Sequence, residues 1–340
     1  MPALPEIWFT RCPVPTATGI AADRGELARE FAPDGIRVRA LQDLPAGQRD
    51  AHFTHELPGL FREGGNVPAL WARSRGVETR LIALTWIEER QSILVRADSP
   101  VAEPAQLRGL RLAMPRHEIA IDFWRAMALH GHAGALSLAR LTLADAELVD
   151  VPGSPIGQWE GELAALRDGL VDAVYVKGAV AVETARRFGA KVAIDLDAAP
   201  DRRARVNNGT PRPVTVHQRL LDEHPDVVTR FLALLLESAA WAADRPEDVA
   251  RILRAETGAG VEGVTGAYRP ETAANLGLSL SGERLSLLEH QELFLRQQGF
   301  LESPVDVSAW AAPEPLLAAR ALVDQRATPL VSPISPGVRP

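Results

Sequence analysis

The only cysteine of the chain, Cys12, stands in a place that suits thiol chemistry. It follows the apolar run Glu6–Thr10, which reads as a strand. It then sits in Arg11-Cys12-Pro13-Val14-Pro15, where two prolines stiffen the turn. A thiol held there can give a proton or attack an electrophile, and the neighbouring Arg11 is a cation that favours its thiolate. The plain alternative is a small, buried, apolar side chain. His52 follows a polar loop and is the residue type that orients a thiol or exchanges a proton with it near neutral pH. As a surface or satisfied core histidine it would do neither. Arg62 precedes Glu63-Gly64-Gly65, and Pro68 reads as the opening of a helix. A guanidinium fork, glycine amides and a helix N-terminus together suit a small oxyanion, whereas a solvated loop arginine would bind nothing.

Other residues are less pointed. His52 and His55 form H-x-x-H followed by Glu56, which matches neither H-E-x-x-H nor H-x-x-E-H, and no further ligands are evident, so no metal is expected. Arg90, Lys177, Asn207, Asn208 and Arg212 fall on segments expected to face a cleft or hinge, where each also suits a structural role. Phe53, Phe61, Trp86 and Trp124 would wall an aromatic pocket or belong to the core. There is no G-x-G-x-x-G, no Walker A sequence and no serine-nucleophile elbow.

These residues need elements to position them. A chain of 340 residues is long for one core and suits two α/β lobes. Short helices end at Gly169 and Gly189 and lead into the apolar strands 171–176 and 191–196. This helix-glycine-strand rhythm predicts a parallel sheet with crossover helices. Strands are also expected over 35–41, 79–86, 92–95 and 213–217, and helices over 19–31, 67–75 and 225–243. A last helix should run to about Asp324, with a frayed Pro-rich tail from Thr328. The chain is expected to leave the first lobe near Ser99 and return near Pro213. Residues 1–98 with 214–340 would then form one lobe and 99–213 the other. Two crossings make a hinge, and a hinge makes a central cleft. Ligands of such sheets bind beyond the carboxyl ends of strands, and Cys12 lies just past one.

Composition narrows the partners. A net charge of −7 without a Lys/Arg block argues against nucleic acid, while local arginines can still favour a small anion inside a closed cleft. No apolar run approaches the roughly 20 residues of a membrane span. Arg11, Pro13 and Pro15 interrupt the N-terminal stretch where a secretion signal would need its apolar core. With a lone free thiol, the expected compartment is the cytoplasm and the expected form a monomer that does not touch membranes.

Taken together, Cys12-Pro13-Val14-Pro15, His52-Phe53-Thr54, Arg62 with Gly64-Gly65, and Arg90-Gln91 followed by Val95-Arg96-Ala97-Asp98-Ser99-Pro100 resemble the 2'-hydroxybiphenyl-2-sulfinate desulfinase family. The likeness continues in Asp172-Ala173-Val174-Tyr175, Glu302-Ser303-Pro304-Val305 and Trp310-Ala311-Ala312-Pro313-Glu314, and the ten-residue spacing from His52 to Arg62 is kept. The resemblance implies a two-lobed, periplasmic-binding-protein-like (type II) α/β fold and cofactor-free cleavage of an aryl C–S bond with release of sulfite. It also implies that Cys12, His52 and Arg62 take the places of the catalytic residues. Gly65 would then offer a backbone donor to the sulfinate, and Thr10 would stand where the family has a serine. Cys12 would protonate the ring carbon or attack sulfur.

Departures bear on the substrate. The family's tryptophan-containing segment is here Val176-Lys177-Gly178-Ala179-Val180, and its tyrosine three residues after the histidine is here His55. Aromatic surface is lost and cationic capacity gained, which favours a smaller or more polar sulfinate, with Lys177 meeting a second anionic group if it faces the cleft. Two competing functions share this fold: a non-catalytic solute-binding protein of the ABC-transporter type for a sulfonate-like anion, and a lyase such as an aryl decarboxylase.

Overall fold

The strands near the N-terminus are short, apolar and separated by helices, and they pair as parallel neighbours. The computed structural model describes residues 4–154 and 157–327, so the tail from Thr328 lies outside the described residues. In the first lobe β1 (Glu6–Phe9), β2 (Arg37–Ala40), β3 (Leu60–Glu63), β4 (Thr79–Thr85) and β10 (Arg212–His217) form a sheet of order β2-β1-β3-β10-β4. β1 runs parallel to β2 and β3, so the carboxyl ends of β1 and β3 lie at one edge. β10 enters antiparallel between β3 and β4, which brings its first residues to that same edge.

The second lobe holds β5 (Gln91–Arg96), β6 (Arg111–Arg116), β7 (Glu147–Pro152), β8 (Val174–Lys177) and β9 (Ala190–Asp195). β5 is antiparallel to both β8 and β9, while β6 and β7 pair in parallel. The arrangement is a two-lobed α/β fold of the periplasmic-binding type, with mixed sheets in place of the expected all-parallel ones. The strands on either side of the two crossings, β5 and β10, run against their neighbours.

One expected boundary shifts. Strand 91–96 was assigned to the first lobe, but it pairs with β8 and β9 in the second sheet. The chain therefore crosses at 86–90, before the Ser99-Pro100 turn. The return segment runs beside it: the Thr210 hydroxyl donates to the Ile87 carbonyl at 2.8 Å. The helix expected over 19–31 is two helices, Ala17–Asp23 and Glu26–Phe31, divided at Gly25 in the left-handed region (φ 67°).

The first core packs Ile7, Phe9, Phe61, Ile82 and Val214 against the helix Pro225–Ala243. Phe61 stacks on Phe231 at 3.9 Å between ring centres. A second core fills the other lobe around Tyr175 and Trp159. A further apolar cluster bridges the lobes, joining Val67, Leu70, Leu81 and Leu84 to Ile121, Ala126, Leu288 and Leu295. Within it runs a buried polar chain: Gln291 donates to Asn66 Oδ1 at 3.0 Å, and its carbonyl oxygen meets His130 Nδ1. Among the described residues no helix is long and apolar enough to cross a membrane.

Candidate functional site

Parallel pairing of β1 with β3 sets the residues after β1 against the end of β3. The Thr10 hydroxyl, fully buried, donates to the Glu63 carbonyl at 2.7 Å, and Cys12 Sγ donates to the same oxygen at 3.4 Å. Cys12 is a half-buried free thiol. Arg11 is not the cation beside it. Its exposed side chain turns away and bonds Glu256 at 2.9 Å, and its backbone N–H bonds Gln42.

The cation at the thiol is Arg62. On a buried strand it has 0% of its surface exposed, and among the described residues it makes no ion pair. Three hydrogen bonds pin it: Nε to the His52 carbonyl at 2.7 Å, one terminal nitrogen to the Gly65 carbonyl at 3.1 Å, and the other to His52 Nε2 at 3.3 Å. Burial pulls its pKa down to about 9, Cys12 opposes that shift and Arg212 adds to it; the group stays protonated at neutral pH. Leaving a guanidinium in such a place without a counter-charge costs several kcal/mol, on the order of the penalty for any buried ion.

His52 lies in a four-residue helix, Ala51–Thr54. Burial, then Arg62, His55 and Arg212, hold its pKa well below the ordinary 6.5, so it is neutral near pH 7. With Arg62 donating to Nε2, the proton belongs on Nδ1, an assignment made from the hydrogen bonds. His52 therefore braces Arg62 from both its carbonyl and its ring. No hydrogen bond joins it to Cys12 among the described residues.

Gly64 and Gly65 admit close neighbours. A Cβ on Gly64 would lie 2.7 Å from Arg62 Cζ, and one on Gly65 would lie 2.4 Å from Asn208 Oδ1. The helix Asn66–Ser74 starts here, and its first amides are already engaged. Asn66 N–H bonds the Asn208 carbonyl at 2.7 Å, Val67 N–H bonds Asn208 Oδ1 at 3.0 Å, and Gly64 N–H bonds the Pro213 carbonyl at 3.2 Å. Asn208 is thus a helix cap. Of the expected backbone donors, the Gly65 N–H is the one with no partner among the described residues.

The other expected site residues are dispersed. Phe53 makes an edge contact with His52 and stacks on Phe123 of the second lobe at 6.1 Å between ring centres, packed against the apolar cluster between the lobes. His55 points elsewhere: its Nε2 meets the Thr215 hydroxyl at 3.3 Å, and it lines a separate cavity of about 650 Å³ with Trp8, His217 and His224. Burial, with Arg62 next, lowers its pKa to about 3. Arg90 pairs with Asp195 at 3.5 Å and has no bond to the Cys12 cluster among the described residues. Lys177 is tied to Glu89, whose other oxygen accepts the Tyr268 hydroxyl at 2.9 Å. Its charge is neutralised, which removes it as the free cation expected from the sequence. Among the described residues no three or more His, Cys, Asp or Glu side chains gather as a metal site.

Glu63 was missed. Its carboxylate is 1% exposed and accepts from the Thr18 hydroxyl at 2.6 Å and the Thr85 hydroxyl at 2.9 Å, which fixes the strand end whose carbonyl holds Cys12. The signal was two charged residues in the otherwise apolar strand Leu60–Glu63.

Residues 67–249 match the NMT1/THI5 like family model, more than half of the chain. The chain belongs to the NMT1/THI5-like family. Within this NMT1/THI5-like chain the likeness read from the sequence holds. It is 28% identical to 2'-hydroxybiphenyl-2-sulfinate desulfinase of Rhodococcus erythropolis, covering 90% of this chain and 91% of the relative. The crystal structure of the desulfurization enzyme DSZB superposes with a TM-score of 0.73 at 26% identity, covering 93% of this chain and 99% of that one. A Cys→Ser mutant of DSZB in complex with biphenyl-2-sulfinic acid gives the same TM-score of 0.73 at 26% identity, covering 94% of this chain and 100% of that one. The periplasmic aliphatic sulphonate binding protein SsuA from Escherichia coli shares the fold at 14% identity, with a TM-score of 0.68 and coverage of 91% of this chain and 92% of that one.

Proposed function

We propose that this NMT1/THI5-like protein is a desulfinase that cleaves the C–S bond of an aromatic or related sulfinate and releases sulfite without a cofactor. One observation carries the reading: Arg62, buried and without a carboxylate, stands beside the Cys12 thiol at the ends of adjacent strands. A permanent cation in a closed site calls for an anion, and binding an anion alone needs no thiol. The likeness to 2'-hydroxybiphenyl-2-sulfinate desulfinase supports the same chemistry.

The geometry favours Cys12 as an acid. Its sulfur lies 3.4 Å from the Glu63 carbonyl, an acceptor suited to a thiol S–H, and the base expected in His52 is occupied by Arg62. Arg62 and the Gly65 N–H would hold the two sulfinate oxygens. The thiol proton passes to the ring carbon bearing sulfur, and the C–S electron pair becomes the new C–H bond. The S–C bond breaks with loss of sulfur dioxide. Water adds to sulfur dioxide to give bisulfite, and the proton released restores the Cys12 thiol. Arene and bisulfite leave, with no net oxidation or reduction. His52 acts as a positioning residue for Arg62.

Sulfite release from a panel of aryl and alkyl sulfinates tests the reading. We expect sulfite from at least one member, and at least about a 100-fold drop in Cys12→Ser, the scale of losing a proton-transfer group. Tight binding with no turnover of any sulfinate would favour a solute-binding protein instead. A monomer in the cytoplasm belongs to the same proposal, checked by cell fractionation and light scattering, as do lobes hinged at residues 86–90 and 207–211.

A further inference from the structure

The sheet edge that carries Arg62 carries a second cation with nothing to hold. Arg212 opens β10 and is 5% exposed. Four partly or fully buried arginines have an Nε without a partner: Arg80, Arg90, Arg205 and Arg212. In the first three another nitrogen is engaged, by the Ala311 carbonyl, Asp195 and Glu88 respectively. Arg212 alone among them has an unpartnered Nε and no side-chain hydrogen bond or ion pair among the described residues. The carboxylates at this edge are committed: Glu63 to Thr18 and Thr85, Glu89 to Lys177 and Tyr268.

The place of Arg212 is defined by its neighbours. A Cβ on Gly209 would lie 3.0 Å from Lys177 Nζ and 3.3 Å from a terminal nitrogen of Arg212, so the missing side chain leaves room for two cationic heads. Pro213, next in the chain, accepts the Gly64 N–H, which brings Arg212 level with the Gly64-Gly65 turn. Arg62 lies against Gly64, Gly65 touches Asn208, and Arg212 lies against Gly209. Arg212 is also near enough to depress the pKa values of Arg62 and His52.

We infer that Arg212 is a second anion anchor, and that the preferred substrate is a sulfinate bearing a further anionic group such as a carboxylate. Arg62 takes the sulfinate and Arg212 the other charge. Two unneutralised guanidiniums repel each other in the empty site, and a dianion relieves both. This rests on the desulfinase reading for the word sulfinate, but not for the second charge. It also moves to Arg212 the role that the sequence suggested for Lys177.

The test uses the full chain, Arg212→Gln and Arg212→Lys. Kinetic probes are benzenesulfinate and its three carboxy isomers; binding probes are the matching unreactive sulfonates, followed by calorimetry. We expect at least one carboxy isomer to exceed the parent by about tenfold or more in kcat/KM, and its sulfonate counterpart to bind more tightly by a similar factor. Arg212→Gln should erase that preference, costing the carboxy isomer about tenfold more than it costs the parent, and Arg212→Lys should fall between. Equal losses for parent and carboxy probes would place Arg212 on the sulfinate itself and overturn the inference. So would no preference in the wild type, or a preference that survives in Arg212→Gln. Because the Arg212 side chain makes no hydrogen bond or ion pair among the described residues, Arg212→Gln should unfold at no lower temperature than wild type; should it fail to fold, Arg212→Lys decides. If no sulfinate yields sulfite and yet the sulfonates show the pattern, the desulfinase reading fails and this one stands.

Discussion

Arg62 on β3 and Glu162 on the second-lobe helix Glu160–Arg167 have ionisable side chains with at most 1% exposure, and their surroundings treat them in opposite ways. Arg62 donates three hydrogen bonds and keeps its charge. Glu162 has no partner for either oxygen among the described residues, and burial, with Asp122 a lesser cause, pushes its pKa to about 7. One lobe is built to keep a charge that water cannot reach, at a cost to stability that a ligand can offset. The other lets its buried carboxyl take up a proton. Function is to be sought where the charge is retained.

Substitutions at the two residues should diverge accordingly. The largest effect is expected for Arg62→Gln, which removes the fork but leaves the chain uncharged at that point: kcat/KM for sulfite release should fall by about 100-fold or more, the scale of losing an oxyanion donor. Arg62→Lys, which cannot bond His52 and Gly65 together, should recover only part. His52→Gln comes next, with a loss of about tenfold through a loosened Arg62. Because the His52 pKa lies well below 6.5, the wild-type pH–rate profile should show no His52 limb between pH 6 and 8. An inflection near 6.5 that disappears in His52→Gln would restore the histidine as a base and erase the contrast.

The smallest effect is at Glu162 and appears in stability alone. Its folded pKa is raised from 4.5 to about 7, so the folded state holds the proton more tightly than the unfolded one. That contribution is complete below about pH 4.5 and is lost as pH rises through 7, with a ceiling of about 3 kcal/mol. Thermal unfolding of Glu162→Gln should lack this part of the decline between pH 5.5 and 8, with sulfite release unchanged at pH 6. Equal slopes in variant and wild type would show that Glu162 is not held neutral.

The chemistry-bearing residues of the first lobe were legible because their spacing is local or follows from parallel strands. Cys12 after β1 and Arg62 in β3 meet once those strands pair, and a two-lobed fold follows from the helix-glycine-strand rhythm. What was not legible is how charges are matched across the chain. Lys177 and Glu89 are 88 positions apart, so nothing local reveals that one neutralises the other and leaves Arg212 free. The same holds for Arg11, whose adjacency to Cys12 suggested contact until Glu256, 245 positions away, drew it outward. His52 was found by type but misjudged in role, since its occupied Nε2 depends on where Arg62 folds back. Strand 91–96 was misplaced because an apolar strand before a Ser-Pro turn looks the same in either lobe.

The Asn66–Gln291–His130 chain and the Phe53–Phe123 stack cross from lobe to lobe close to the Gly65 turn. Arg62 beside them is sealed from solvent, so an anion that pairs with its guanidinium must be admitted by movement of the structure around it. For the proposed sulfinate substrate, association should therefore run slower than diffusional encounter.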